Sequence, residues 1–341
     1  MPPAEASPRT SEPRERNGDT DFRLGAPTGA LLASRDAGFR HAVAQLEKFA
    51  RHESVNVLLV GESGTGKSVF AQHLHQCSPR ANRVFHRVAL SALADSLAAS
   101  ELFGHVLGAF TDARSNRAGH FVTAHGGTLF LDEIGKASET VQAKLLDAVE
   151  RKEIAPVGAG RSVRVDVRII AATNVSLNSL AAEGKFLPDL LARLDGFTVR
   201  IPPLRERRSD IALLVAHLVA VHWLTYGHRT PPTIDSDLMA ALTAADWPGN
   251  VRELDVTVRR LLIEAEGAPI ITLSHCADSL VHLRPPKPRR VKPETVLSAL
   301  EQQTDRNVSK AARQFGLSRT TVHRYLLEAA VAARVASDPP T

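Results

Sequence analysis

The chain has 341 residues, 43% hydrophobic and 23% charged, which fits two or three folding units of an ordinary globular protein. No apolar run is long enough to cross a bilayer, so no membrane partner is expected, and the Pro-, Arg- and Glu-rich N-terminus lacks the apolar stretch of a signal peptide. Two isolated cysteines, Cys77 and Cys276, exclude a disulfide framework or zinc site and point to a reducing cytoplasm, while a net charge of +5 tilts only mildly toward anionic partners.

Residues 1–25 are polar and read as a disordered tail. From Ala37 to Ala50, Phe39, Val43, Leu46 and Phe49 recur at helical spacing, and no separate sensory domain is expected ahead of this helix. The apolar run Val55–Val60 predicts a buried strand leading directly into Gly61, Glu62, Ser63, Gly64, Thr65, Gly66, Lys67 and Ser68. This is the phosphate-loop pattern in its required context, between a strand and a helix carrying Val69, Phe70 and Leu74. Glycines let backbone N–H groups turn onto phosphate oxygens, and the helix N-terminus adds its positive end. ATP is the expected ligand: Lys67 reaches the outer phosphates and the Ser68 hydroxyl ligates Mg²⁺.

A second strand follows over Val84–Leu90, then a helix ending near Glu101. The stretch from Glu101 to Ala113 breaks the pattern, with exposed-type glycines around an apolar tip at Ala109 and Phe110; it is either a loop displaying Phe110 to a partner or a turn with Phe110 tucked into the core. Gly126–Glu133 predicts a third strand, apolar throughout and closed by two acids. At the ligand edge of a parallel sheet, Asp132 holds Mg²⁺ directly or through water, and Glu133 polarises the attacking water. A helix with Val141, Leu145, Leu146 and Val149 precedes a fourth strand, Val165–Ala172, closing with Thr173 and Asn174. Asn174 either orients water or phosphate there or simply ends the strand.

The double proline Pro202-Pro203 marks a break near residue 205, beyond which the pattern is helical: Ile211–Trp223, Ile234–Ala244 and Val251–Ala265. Arg252, in the first turn of the last of these, either swings to a phosphate or pairs with Asp255 or Glu253. Residues 281–292 form a basic linker containing Arg284, Lys287, Arg289, Arg290 and Lys292. Residues 293–334 then read as a helix-turn-helix: Ala311 and Ala312 allow close helix crossing, Gly316 permits the turn, and Ser318 caps a second helix. That helix lays Arg319, Thr320, Thr321, His323 and Arg324 along a DNA major groove.

Together these motifs resemble the sigma-54-dependent transcriptional activators, the NtrC-like enhancer-binding proteins of bacteria. Residues 61–67 look like their Walker A, 126–134 like Walker B, 165–174 like the sensor I strand, 202–207 like the start of the helical lid, and 247–254 like sensor II; the last 45 residues resemble their Fis-type helix-turn-helix. The resemblance implies an α/β AAA+ ATPase subdomain over 26–204, a helical lid over 205–280 and the all-α DNA-binding domain. It further implies a cytoplasmic ATPase, assembled as a ring, most simply a hexamer, that binds enhancer DNA and remodels sigma-54 RNA polymerase. In that assembly Arg193 enters the neighbour's site as an arginine finger, Arg252 senses the γ-phosphate in cis, and Phe110 and Thr111 press on sigma-54. Control is expected from a separate regulatory protein or from expression level.

The sequence departs from the family pattern in four places. Asp112 replaces the second glycine of the Gly-Ala-Phe-Thr-Gly-Ala loop, adding a charge and a backbone restriction. Ala89 stands where an Asn usually partners the catalytic Glu, and Leu187 removes one of two trans arginines. Ser68, in place of the family's Glu, restores the general phosphate-loop pattern. Ala89, Leu187 and Asp112 support an alternative, a DNA-binding regulator that binds ATP, hydrolyses it weakly and does not engage sigma-54; Lys67, Asp132, Glu133, Asn174, Arg193 and Arg252 oppose it.

Overall fold

Five short strands form one parallel sheet: β1 (Val57–Val60), β2 (Phe85–Ala89), β3 (Thr128–Asp132), β4 (Arg168–Thr173) and β5 (Thr198–Arg200), in the order β2-β3-β4-β1-β5. The structure, a computed structural model, describes residues 32–275 except 228, 229 and 266, together with Val308, Val322 and Leu326, which are helical. The tail 1–25, the linker 281–292 and the expected DNA-reading residues Ser318, Arg319, Thr320, Thr321, His323 and Arg324 lie outside the described residues.

Strand alternation assigns each side chain to a layer. Leu58, Leu129, Leu131, Ile169 and Ala171 face a core shared with α3 (Asp95–Phe103), α4 (Glu139–Arg151), α5 (Leu177–Ala182) and α6 (Pro188–Leu194). Their neighbours Val57, Leu59, Phe130, Ile170 and Ala172 face the opposite core, filled by α1 (Ala37–Ala50) and α2 (Lys67–Gln76). The result is the expected α/β architecture of helix, sheet and helix layers. Because β1 sits between β4 and β5 while the chain leaving it crosses to β2 at the far edge, a crevice opens at the carboxyl end of β1, where ligands bind in such sheets.

Local chemistry fixes the element ends. Asp36 caps α1 by accepting from the Phe39 N–H at 2.8 Å. The other end of α1 is closed by Arg168, fully buried, whose guanidinium donates to the carbonyls of Phe49, Ala50 and Val55 at 2.8, 3.1 and 3.3 Å. Burial holds that guanidinium down to about 10, and the carbonyl end of the helix dipole stabilises its charge. β4 begins at Arg168 rather than Val165: Val163 and Arg164 pair antiparallel with Glu153 and Ile154, and Asp166 is drawn into an ion pair with Arg80 at 2.8 Å. Likewise β2 spans Phe85–Ala89, one residue shorter at each end than the sequence pattern, and α3 runs to Phe103.

After β5 the chain changes character. Helices α7 (Ile211–Thr225), α8 (Ser236–Ala244) and α9 (Asn250–Glu264) enclose a separate core around Trp223 and Trp247, with one short parallel pair, Thr233–Ile234 and Ile270–Ile271, that helical periodicity does not foresee. Among the described residues no helix is long and apolar enough to cross a membrane.

Candidate active site

Helix α2 starts at Lys67, and the preceding Gly66 has φ +104°, a backbone conformation natural only to glycine. Gly64 is also left-handed, at φ +78°, and a Cβ there would stand 2.2 Å from the Gly249 carbonyl oxygen. The first glycine of the loop is constrained by crowding instead: a Cβ on Gly61 would meet Thr65 Oγ1 at 3.0 Å and the Ile201 carbonyl oxygen at 3.1 Å. The loop is therefore shaped from both sides, by its own turn and by the helical subdomain.

Lys67 is buried, and its Nζ donates to the carbonyls of Gly61 and Glu62, both at 2.9 Å. Burial pushes the ammonium below its usual range, while the charges of Asp132 and Glu133 act in the opposite direction. The loop lysine and the two acids ending β3 thus share one electrostatic environment. Ser68 is partly buried one residue further along α2. A hydroxyl and a carboxylate at the mouth of a phosphate loop form an all-oxygen donor set, which suits Mg²⁺ completed by phosphate oxygens and water.

Asp132 Oδ1 accepts from the N–H of Glu133 at 3.1 Å, and Glu133 adopts left-handed backbone, φ 57° and ψ 46°. Such conformations in non-glycine residues cost energy and collect at functional sites. Ala89 lies directly across from Asp132 in the β2–β3 register, so no side-chain amide reaches Glu133 from that position, and among the described residues its carboxylate has no hydrogen-bond partner. Asn174, just past β4, is exposed.

The helical subdomain closes over the loop through its own motif. Asn250, fully buried with φ 55°, accepts from the Leu204 N–H at 2.8 Å and donates to the Ser63 carbonyl at 3.0 Å and to Glu62 Oε2 at 3.2 Å. The Val251 N–H donates to the Gly64 carbonyl at 3.0 Å. Arg252, which sequence spacing paired alternatively with Asp255 or Glu253, instead donates from Nη1 to Ser63 Oγ at 2.9 Å. Asp255 is engaged by His222 at 2.6 Å and Arg259 at 2.8 Å, and Glu253 accepts from the Gly249 N–H. Arg205 clasps Glu62 with bonds of 2.6 and 2.8 Å, which holds the Glu62 carboxyl down at about 2. Arg207, packed over the Phe39 ring at 4.1 Å, donates to the Thr65 carbonyl.

Two expected residues stand apart from this cluster. Arg193, exposed on α6, donates to Glu150 of α4 at 2.8 Å. The Phe110 loop rises from a two-residue antiparallel base, Gly104–His105 with Arg117–Ala118, which local spacing does not predict. Phe110 is 36% exposed and rests edge-on against His105, ring centroids 5.0 Å apart, so it is displayed yet braced rather than tucked into the core. The backbone restriction at Asp112 carries no left-handed strain. Asp112 is not among the left-handed residues; the tight turn is closed by the Ala113 N–H on the Phe110 carbonyl at 2.9 Å, and Gly108 carries the positive φ.

Sequence reasoning did not single out Glu150, Arg205, Asn250 or Arg87, whose roles depend on partners far along the chain. Arg205 and Asn250 sit inside quoted motifs, and that is the signal by which they were findable.

The sigma-54 interaction domain model matches residues 32–200, and the AAA+ ATPase lid domain model matches residues 205–293. The chain belongs to the sigma-54-dependent activator family. Among its relatives in that family is the Nif-specific regulatory protein of Azotobacter vinelandii, 42% identical over 299 residues, which are 84% of this chain and 56% of the relative. The transcriptional regulatory protein ZraR of Salmonella typhimurium is 37% identical over 312 residues, covering 86% of this chain and 70% of ZraR. A crystal structure of NtrX from Brucella abortus in complex with ADP superposes with a TM-score of 0.67 at 30% identity, covering 90% of this chain and 70% of NtrX. The chain spans about half the length of the Nif-specific activators it matches.

Proposed function

We propose that this chain is an ATP-hydrolysing activator that remodels sigma-54 RNA polymerase. The observation that carries the reading is that the glycine loop with Lys67 follows β1 while Asp132 and Glu133 end β3, at the same carboxyl edge of one parallel sheet. In this reading Gly61 to Ser68 cradle the triphosphate of ATP, and Lys67 leaves the Gly61 and Glu62 carbonyls for the outer phosphates. Ser68 and Asp132 hold Mg²⁺, which when bound neutralises phosphate charge. Glu133 polarises the attacking water, Asn174 orients it or the terminal phosphate, and Arg252 is already at the loop to sense the γ-phosphate. The nucleotide-bound NtrX structure supports the binding part of this assignment.

Arg193 is exposed and bonded to Glu150 of α4, which supports its use on a neighbouring protomer and hence a ring, most simply a hexamer. Phe110 and Thr111, at the exposed turn, are the sigma-54 contact. Residues 293–334, with Arg319 and His323 foremost, bind enhancer DNA after the linker 281–292, and 205–280 form the lid. The protein acts in the bacterial cytoplasm.

Purified protein is expected to form a stable complex with sigma-54 in ADP–aluminium fluoride, a mimic of the hydrolysis transition state. Intact ATP and DNA binding without that complex would sink the reading in favour of a nucleotide-responsive DNA-binding regulator. Glu133→Gln is expected to retain ATP and abolish turnover; surviving turnover would remove Glu133 from its role.

A further inference from the structure

Both carboxylate oxygens of Asp132 are engaged. Oδ1 accepts from the Glu133 N–H, and Oδ2 accepts from Arg87 Nη2 at 3.0 Å. Arg87 comes from the neighbouring strand but not from the position opposite: in the β2–β3 register Arg87 faces Phe130, and Ala89 faces Asp132. Residues two apart on a strand share a face, so the Arg87 side chain runs along the sheet over the Phe130 ring, 6.0 Å from its centroid, to arrive at Asp132. The single methyl of Ala89 leaves that path open, where a longer side chain at 89 would stand between guanidinium and carboxylate. The departure at Ala89 and the reach of Arg87 are therefore one feature. Asp132 is mostly sheltered, its side chain 13% exposed, and Arg87 is 41% exposed.

We propose that Arg87 is a positioning residue that competes with Mg²⁺ for Asp132 and so sets the Mg²⁺ concentration at which nucleotide is held. This rests on the reading of Asp132 as the Mg²⁺ carboxylate. A carboxylate has one negative charge to share, and a cation approaching Oδ2 must displace the guanidinium or accept its repulsion. A neutral amide opposite the acids would exert no such competition; here a full positive charge reaches Asp132. Because Arg87 is partly solvated, the expected effect is moderate, about two- to fivefold.

The test titrates Mg²⁺ against binding of a fluorescent, slowly hydrolysed ATP analogue by the full chain. Arg87→Met keeps the packing on Phe130 and removes the charge; it is expected to lower the half-saturating Mg²⁺ concentration about two- to fivefold, with binding in the presence of a chelator unchanged. An unchanged or higher midpoint overturns the proposal. Arg87→Lys retains the charge and is expected to lie near the native midpoint; a Lys variant that behaves like Met overturns it as well. Asp132→Asn separates the two layers of the argument. If Asp132→Asn leaves the Mg²⁺ dependence intact, the metal assignment itself is wrong; if it abolishes the dependence while Arg87→Met does nothing, only the role of Arg87 fails.

Discussion

Arg193 Nε donates to Glu150 Oε1 at 2.8 Å, so the arginine proposed to act on a neighbouring protomer is held by a carboxylate of its own. Both side chains are substantially exposed, at 60% and 32%, which makes the pair weak and reversible. Glu150→Gln is expected to raise ATP turnover about two- to fivefold at protein concentrations where assembly limits the rate. Arg193→Ala is expected to lower turnover about a thousandfold or more while leaving nucleotide binding intact. Steady-state ATPase measured across a protein dilution series, beside nucleotide binding, checks both; an Arg193→Ala variant with native turnover would remove it from the reaction.

The Glu62–Arg205 clasp predicts a pH dependence with a definite sign. The folded-state pKa of Glu62 lies at about 2, below its ordinary 4.5, because Arg205 and Asn250 donate to its carboxylate. Its contribution is complete above pH 4.5 and is lost as pH falls toward 2. With Glu62 42% exposed, screening limits that contribution to about 0.5–1 kcal/mol. Acid unfolding of Glu62→Gln compared with native protein should therefore show a stability gap at neutral pH that closes as pH approaches 2. A gap independent of pH would assign the effect to packing instead.

Asn250 joins the loop and the helical subdomain through a buried amide in left-handed backbone. Asn250→Ala strands the buried Leu204 N–H, removes the bond to the Ser63 carbonyl and is expected to cost about 2–3 kcal/mol. Asn250→Gly loses the same bonds but tolerates φ 55°, and is expected to cost about 1 kcal/mol less. Both tryptophans, Trp223 and Trp247, lie in the helical subdomain, so intrinsic fluorescence during denaturant unfolding reads this region directly. Equal losses for the two variants would show that backbone conformation is not part of the cost.

Asp112 occupies ordinary backbone, so Asp112→Gly relieves no strain and is expected to lower stability by about 0.5–1 kcal/mol through the freer unfolded chain. A gain in stability would reveal strain at the tip. The same variant, tested for sigma-54 capture in ADP–aluminium fluoride, isolates the effect of the loop's negative charge from any effect on its shape.

What the sequence by itself determined was local and periodic. The strand, glycine turn and helix around Gly61–Ser68, the buried strand ending in Asp132 and Glu133, and the switch to helices after Pro203 all follow from spacing, chirality and burial within short windows. α1 was legible to the residue because its apolar face repeats cleanly, and the structure adds the Asp36 cap. Tertiary structure decided the partners. Glu62 meets Arg205 across 143 positions, Arg252 meets Ser63 across 189, and Arg193 meets Glu150 across 43. No local pattern encodes such pairs, since a charged side chain on a surface turn is compatible with many neighbours until the chain packs. The same holds at Asp112, which replaces a glycine of the family pattern: only the folded turn shows that the positive φ falls on Gly108. Arg87 is the sharpest case: its strand was legible, but its grip on Asp132 depends on the strand register and on the space left by Ala89.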